Sequence, residues 1–373
     1  MTHSSFIKSR KNILSNKLYN LIKLFKKLEE HKKENLTSFT PYLFLRFFSK
    51  VHFFLKKKKL DLKLYYSAID NLSKEIIDIL ETSKNFGFKK FLKNTNLSIK
   101  NKKDLKTEDY YGILFENFSD KHYYKEPYDL LKTRLKRNNV NLQLFKNKRI
   151  LDYGCGNGRY TQAIAKLSLK KLSRYNNSGE PQILGYDKSK TNILTARIKN
   201  RFSNVEYKVG DVNQNNLPKE SFDIVFCNGV LHHTGDISLG LRQIYKILKS
   251  DGICIIYLSS TDGIKWYCIE AFRKILKNYN KIYFFKSLVN LNLNYNKIFY
   301  LMDHVFVKYN DLTTKKEVEN LFKSSNFKII KRFNRGHSID DTERLFQLKK
   351  MNPKKAFSVY GYGEHRYILK KNI

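Results

Sequence analysis

The stretch RILDYGCGNGRY, Arg149 to Tyr160, constrains this chain more than any other. Ile150 and Leu151 read as a buried strand that ends at Asp152, Gly154, Gly156 and Gly158 follow at alternate positions, and a polar helix pattern starts at Arg159. Strand, glycine turn and helix in that order make the floor of a nucleotide-type site, because glycine removes the side chains where a ligand would meet the backbone. The spacing narrows the ligand. A dinucleotide fingerprint needs its third glycine where this chain has Arg159, and no lysine followed by serine or threonine closes the turn as in a phosphate loop.

Further stations follow in chain order. ILGYDKS, Ile183 to Ser189, reads as the next parallel strand, with Asp187 at its carboxyl end. A carboxylate there can accept hydrogen bonds from ribose hydroxyls, or cap the helix that begins near Ser189. VEYKVGDVNQNNLPKESFDIVFCNGVLHH supplies a strand at Val205 to Lys208, a turn at Gly210-Asp211 and an apolar strand at Phe222 to Phe226. Leu239, Ile244, Ile247 and Leu248 suit the apolar face of a helix, Gly252 follows its end, and Ile253 to Leu258 reads as a buried strand. The tail adds a helix in KKEVENLFKSS, a strand at Phe327 to Phe333 and a final strand in EHRYILKK.

An acidic residue before G-x-G-x-G, with these stations in this order, resembles the class I S-adenosylmethionine-dependent methyltransferases, from about Tyr110 to the C terminus. The resemblance implies an α/β fold: a Rossmann-like, seven-stranded, mostly parallel sheet with an antiparallel last strand, helices on both faces and an N-terminal helical appendage. It implies S-adenosyl-L-methionine as the cofactor. The residues it points to are Asp152, Gly154, Cys155, Gly156, Asn157 and Gly158 in the first loop, and Asp187 and Lys188 after the second strand. Asp211 and Val212 then fall at the adenine, and Asn228 and Gly229 beside the methyl donor. His232 and His233 are the candidate catalytic pair, since a near-neutral imidazole can take a proton from the acceptor. Relatives also use Leu-His-His to shape this loop, and both readings stay open. No Cys or His cluster at ligand spacing accompanies them, so no metal is expected. Two departures from the family pattern are the insertion KLSLKKLSRYNNSGEPQ before the second strand, and Ser250-Asp251 in the turn before the fifth.

A chain of 373 residues has room for one such domain and a smaller companion. We expect a lysine-rich helical region at 1–105, a lid or lead-in at 106–148, and the methyltransferase domain at 149–373 with a substrate-cap insertion at about 259–311. Leu18, Leu21, Phe25 and Leu28 recur at helix spacing in the first region. The lead-in (Tyr110, Tyr111, Phe115, His122, Tyr123, Tyr124) and the insertion (Trp266, Tyr267, Tyr283, Phe284, Phe285, with Asp303 and His304) are aromatic, as befits a substrate cover or ordinary helical core. Arg335, His337, Asp340, Tyr362 and Glu364 fall on connections in the tail and are expected at the solvated surface.

The net charge of +38 would attract phosphate backbones or anionic lipid. No RNA-binding signature accompanies it. Lys, Asn, Ile, Phe and Tyr all use AT-rich codons, so compositional bias accounts for part of the excess, and Lys56 to Lys59 reads as a solvated face. YLFLRFFSKVHFFL, Tyr42 to Leu55, falls short of the roughly 20 residues that span a bilayer and contains Arg46 and Lys50. It suits a core or interfacial helix, which leaves peripheral membrane contact open without a transmembrane segment. No apolar run near Met1 makes a signal peptide, and Cys155, Cys227, Cys254 and Cys268 are scattered, which suits a reducing cytoplasm. The expected function is methyl transfer to a small-molecule or metabolite acceptor. RNA methylation is one alternative. A non-catalytic S-adenosylmethionine-binding module that docks on nucleic acid or membrane is the other.

Overall fold

A computed structural model describes residues 3–30, 40, 42–44, 46–47, 62–85, 111, 118–168, 182–261, 263–276, 279–290 and 295–372. Helices α1 (His3–Glu30) and α2 (Leu62–Asn85) come first, and α3 (Glu126–Arg137) leads into the sheet. Then follow β1 (Ile150–Tyr153), α4 (Arg159–Ser168), β2 (Ile183–Asp187), α5 (Lys190–Ile198), β3 (Val205–Val209), β4 (Phe222–Asn228), α6 (Ile237–Ile247) and β5 (Leu248–Leu258). Three helices, α7 (Ile264–Ile275), α8 (Lys281–Asn290) and α9 (Tyr295–Val305), fill the insertion. The chain ends with α10 (Lys315–Ser324), β6 (Phe327–Arg332), α11 (Asp341–Met351), α12 (Pro353–Tyr360) and β7 (His365–Lys371).

Two compact units divide the chain: Met1–Lys103 with Lys265–Phe306, and Asp104–Ile264 with Val307–Ile373. In the first, α1 packs on α2 through Leu18, Leu21, Phe25 and Leu28, the stripe that its helical spacing announces, against Tyr65, Ile69, Leu72 and Ile76. Lys17 and Asp70 pair across the two helices at 2.6 Å. Phe44 meets Phe272 and Phe284 edge-on, with ring centroids 4.3 and 5.5 Å away.

The second unit is built on a seven-stranded sheet in the order β3-β2-β1-β4-β5-β7-β6. All neighbours from β3 to β5 run parallel, and β7 is antiparallel to both β5 and β6. Every residue of β1 is buried, because helices cover both faces of a sheet of this kind and its centre must be apolar throughout. Leu131 of α3, Ile164 of α4 and Ile193 of α5 pack on one face. Leu241 and Ile244 of α6, with Val318 and Phe322 of α10, pack on the other. The order reverses between β1 and β4, so the loops after β1, β2 and β4 open at one edge of the sheet.

The tail differs from its sequence reading. β6 and β7 pair antiparallel as expected, yet α11 and α12 lie between them where the sequence reads as connections. DTERLFQLKKM carries few apolar residues and so gives a weak period, but its ends suit a helix: Asp341 and Glu343 in the first turn, Lys349 and Lys350 in the last. β5 also starts five residues earlier than its apolar run, through Leu248 paired with Phe222. The insertion at 169–181, the Lys56 to Lys59 run, Tyr110, Phe115 and most of Tyr42 to Leu55 lie outside the described residues. No described helix is long and apolar enough to cross a membrane.

Candidate active site

The turn after β1 is held by peptide groups. Gly154, Gly156 and Gly158 all take left-handed φ values (81°, 53° and 87°) that other residues adopt at a cost. The Gly154 and Cys155 amides donate to the Tyr186 carbonyl of β2 at 2.8 and 3.1 Å. The Gly156 amide donates to Asp187 Oδ2 and the Ser189 amide to Asp187 Oδ1, both at 2.9 Å. Asp187 thus braces the glycine turn and the approach to α5, while Ser189 itself caps that helix. Asp152 faces α4, where Thr161 Oγ1 donates to its Oδ2 at 2.6 Å. Burial pushes the Asp152 carboxyl up to about 7, the Thr161 hydrogen bond opposes the rise, and the charge of Asp187 adds to it. Cys155 is buried, and its Sγ lies 3.5 Å from the Gly156 carbonyl.

The neighbouring loops join this turn. Lys188 pairs with Asp211 at 3.0 Å, and Asp211 also accepts the Asn213 amide at 2.8 Å. The Val212 carbonyl accepts the Tyr153 hydroxyl at 2.5 Å. After β4, the Gly229 amide donates to the Tyr257 carbonyl at 3.1 Å, and Val230 packs onto Gly154 so closely that a Cβ there would lie 2.4 Å from a Val230 methyl. His232 is buried, with its Nδ1 3.4 Å from the Ser259 amide and its ring edge-on to Tyr257. His233 is half-buried and its Nδ1 lies 2.9 Å from the Tyr309 carbonyl. A carbonyl only accepts, so Nδ1 carries the proton and Nε2 is the basic nitrogen. Asn157 Nδ2 and Asn213 Oδ1 are buried without hydrogen-bond partners among the described residues. A buried donor and a buried acceptor of this sort need a ligand or water.

A family model described as a methyltransferase domain matches residues 144–326, which span the glycine turn and the strands that carry these loops. Those residues form a class I S-adenosylmethionine-dependent methyltransferase domain. Ubiquinone biosynthesis O-methyltransferase of Bartonella quintana is 26% identical over 184 residues, 47% of this chain and 69% of that enzyme. tRNA U34 carboxymethyltransferase of Campylobacter hominis is 30% identical over 150 residues, 39% of this chain and 48% of that protein. A solved S-adenosylmethionine-dependent methyltransferase from Mesorhizobium loti aligns at 16% identity and a TM-score of 0.39, over 62% of this chain and 95% of that one. The family implies S-adenosylmethionine, and the residues present fit such a group: a backbone cradle, carboxylates after β2 and β3, and unsatisfied amide atoms at Asn157 and Asn213.

In this methyltransferase the lead-in is tied to the glycine turn. Lys121–Lys125 forms a π-helical turn in which Tyr123, fully buried, donates its hydroxyl to the Asn157 carbonyl. Arg201 lies over the Tyr124 ring at 3.4 Å, and Arg159 over Phe118 at 4.2 Å. Tyr111 and His233 have ring centroids 6.3 Å apart.

The β5–β7 side of the methyltransferase corrects the expectation of a solvated tail. Asp340 is 3% exposed and receives Arg134 through two bonds, at 2.7 and 2.6 Å. Burial alone would raise the Asp340 carboxyl, but the Arg134 guanidinium holds it well below the usual carboxylate range. Arg134 also donates to the Tyr160 hydroxyl at 2.8 Å. Arg335 makes two 2.9 Å bonds to Glu343. Arg366 lies 3.9 Å over Tyr257, bonds Glu364 at 3.3 and 3.4 Å, and donates to Asn228 Oδ1 at 2.9 Å. Burial pushes the Glu364 carboxyl up while the Arg366 charge draws it down, and the rise wins. Asp340 is therefore the interior partner of an arginine 206 residues away, Glu364 pairs with Arg366 two residues on, and Arg335 is half-exposed and pairs with the buried Glu343, whereas Tyr362 is exposed as its connection suggested. At the start of β7, His365 is buried, its Nε2 donates to the Thr313 carbonyl at 2.8 Å, and burial pushes it down to about 4. Sequence reasoning missed Arg134, Arg366 and Asn213. Only Asn213 had a local signal, two residues after Asp211.

Proposed function

We propose that this methyltransferase binds S-adenosyl-L-methionine at the glycine turn and transfers its methyl group to a small-molecule acceptor. The observation that carries the reading is the backbone cradle of Gly154 to Gly158 braced by Asp187. When bound, the sulfonium supplies an activated methyl group and a positive charge that is lost on transfer. The chain's own work is alignment, which can contribute about 7 to 11 kcal/mol to lowering the barrier. Asp187 takes the ribose hydroxyls, Asp211 and the Val212 amide take the adenine edge, and Asn228 and Gly229 line the reacting end. Gly154, Cys155, Gly156, Asn157 and Gly158 present main chain to the rest, with Asp152 beneath them and Lys188 balancing Asp211. His232, enclosed by Tyr257 and the Ser259 amide, shapes the loop. Where the acceptor must lose a proton, His233 Nε2 takes it, because the Tyr309 carbonyl holds the other nitrogen.

Similarity to ubiquinone biosynthesis O-methyltransferase supports a small acceptor. RNA is the second reading, favoured by similarity to tRNA U34 carboxymethyltransferase and by the +38 charge. Purified protein incubated with methyl-labelled donor and a cell extract tests the acceptor: label is expected in small metabolites, and label in RNA reverses the ranking. Calorimetry with S-adenosylhomocysteine tests the donor. Asp187→Ala should bind it about 10- to 100-fold more weakly, as loss of hydrogen bonds to a charged group predicts. Unchanged affinity in that folded variant would remove the ribose assignment.

A further inference from the structure

Charge is sorted between α1 and α2 of the first unit. α1 carries Lys8, Arg10, Lys11, Lys17, Lys23, Lys26 and Lys27, with no acidic residue before Glu29 and Glu30. α2, packed beside it, carries Lys63, Lys74 and Lys84 against Asp70, Glu75, Asp78 and Glu81. A genome-wide preference for lysine codons would load both helices alike. It leaves the sorting unexplained.

The position of the charge along α1 gives it a shape. Leu18, Leu21, Phe25 and Leu28 face α2, so the opposite side holds Asn16, Tyr19, Asn20, Lys23, Lys26 and Lys27, all exposed. Tyr19 is 57% exposed, and the Lys23 ammonium lies 4.6 Å above its ring. At 1.5 Å per residue, the exposed side chains from Asn16 to Lys27 run along about 16 Å of helix. Lysines can neutralise successive phosphates, an exposed ring can stack on a base, and carboxamides both donate to and accept from base edges and 2′-hydroxyls. An anionic membrane would use the same lysines but also needs an apolar face to enter the lipid, and on α1 that face is already spent on α2.

We propose that the outer face of α1 is a docking surface for single-stranded RNA. The docking does not depend on whether the bound RNA is itself methylated. Its contacts are sequence-tolerant and salt-sensitive, as expected when phosphates and stacking carry the affinity.

The test uses the full chain and a fluorescein-labelled 20-nucleotide oligo(U) RNA, read by anisotropy between 50 and 200 mM salt. Lys23→Ala/Lys26→Ala/Lys27→Ala should weaken binding at least tenfold at low salt and flatten the log–log salt slope by about 2, from roughly 0.7 per lost phosphate contact. Tyr19→Ala should weaken it about fivefold or more, the loss of one stacked base. Lys349→Ala/Lys350→Ala/Lys354→Ala changes net charge equally in the other unit and should stay within twofold of the parent. An equal loss there would mean that net charge, not α1, holds the RNA, and would overturn the assignment. So would equal affinity for oligo(dT), or binding to vesicles containing phosphatidylserine without binding to the RNA. Circular dichroism confirms that each variant folds. S-adenosylhomocysteine affinity should be the same in all of them, so a failed donor site and a failed RNA surface give different results.

Discussion

On the β1–β2 side of the sheet the loops are held by peptide groups, with the Gly154 and Cys155 amides on the Tyr186 carbonyl and the Gly156 amide on Asp187. On the β5–β7 side they are held by buried charge, with Arg134 on Asp340 and Arg366 between Glu364 and Asn228. The first arrangement is local, and each bond can be lost without stranding an ion. The second joins segments 206 residues apart and leaves an unpaired interior charge when either partner goes. Arg134→Met should therefore be the most damaging single change, costing about 3–5 kcal/mol in urea denaturation because Asp340 stays buried without its partner. Arg134→Met/Asp340→Leu should recover most of that loss, since removal of a whole buried pair is often close to neutral. A double variant no better than the single one would break the contrast.

The same contrast explains what the sequence showed. Apolar runs interrupted by glycine are local patterns, so β1, β2, β4 and the turn at Gly154 to Gly158 were legible, as was the α1 stripe from Leu18 to Leu28. Nothing near Arg134 announces Asp340, and nothing near Arg366 announces Asn228. Asp340 reads as ordinary surface polarity and Asn228 as a donor-lining residue, and neither reading announces the arginine that the fold sets beside it. α11 escaped notice for a related reason: it is held by Glu343 and its neighbours at buried polar positions, and its apolar spacing is too sparse to show a period.

Each side also hides buried groups whose charged form is disfavoured, and Asp152 on one side and His365 on the other respond to pH in opposite directions. Asp152, raised to about 7 from an ordinary 3.8, favours the proton in the folded state, so its contribution to stability is full at low pH and is lost as pH rises through 7. His365, lowered to about 4 from 6.5, favours the neutral form, so its contribution is full above 6.5 and is lost as pH falls through 4. At 1.36 kcal/mol per unit these are losses of about 4 kcal/mol for Asp152 and about 3 kcal/mol for His365. Denaturation at several pH values should show Asp152→Asn removing the fall between about pH 4 and pH 7, and His365→Asn the fall from pH 6.5 down to about 4. If either variant leaves its limb of the profile unchanged, that group is not the one titrating.

Gly154→Ala probes the backbone-held side itself. Its left-handed φ costs any other residue roughly 1–2 kcal/mol, and the new methyl would press on Val230. The expected loss is about 2–3 kcal/mol, strain and overpacking together. Gly154→Ala/Val230→Ala should relieve the contact but not the φ strain, and so regain about 1 kcal/mol. Full recovery would show that the glycine is needed for space alone.

The smallest effect sets the scale for the others. Thr314 caps α10 in a reciprocal arrangement: its hydroxyl accepts the Glu317 amide at 3.2 Å, and the Glu317 carboxylate accepts the Thr314 amide at 2.7 Å. The cap is exposed and its partners are three residues apart, so Thr314→Ala should cost about 1 kcal/mol and Thr314→Ser almost nothing. The adjacent Thr313 carbonyl holds His365, yet it is a main-chain atom that Thr314→Ala leaves in place. The acid limb of the stability profile should accordingly keep its shape while the whole curve drops. A Thr314→Ala loss as large as that of Arg134→Met would mean that α10 transmits strain into β7, and the difference between local and long-range supports would no longer account for the ranking.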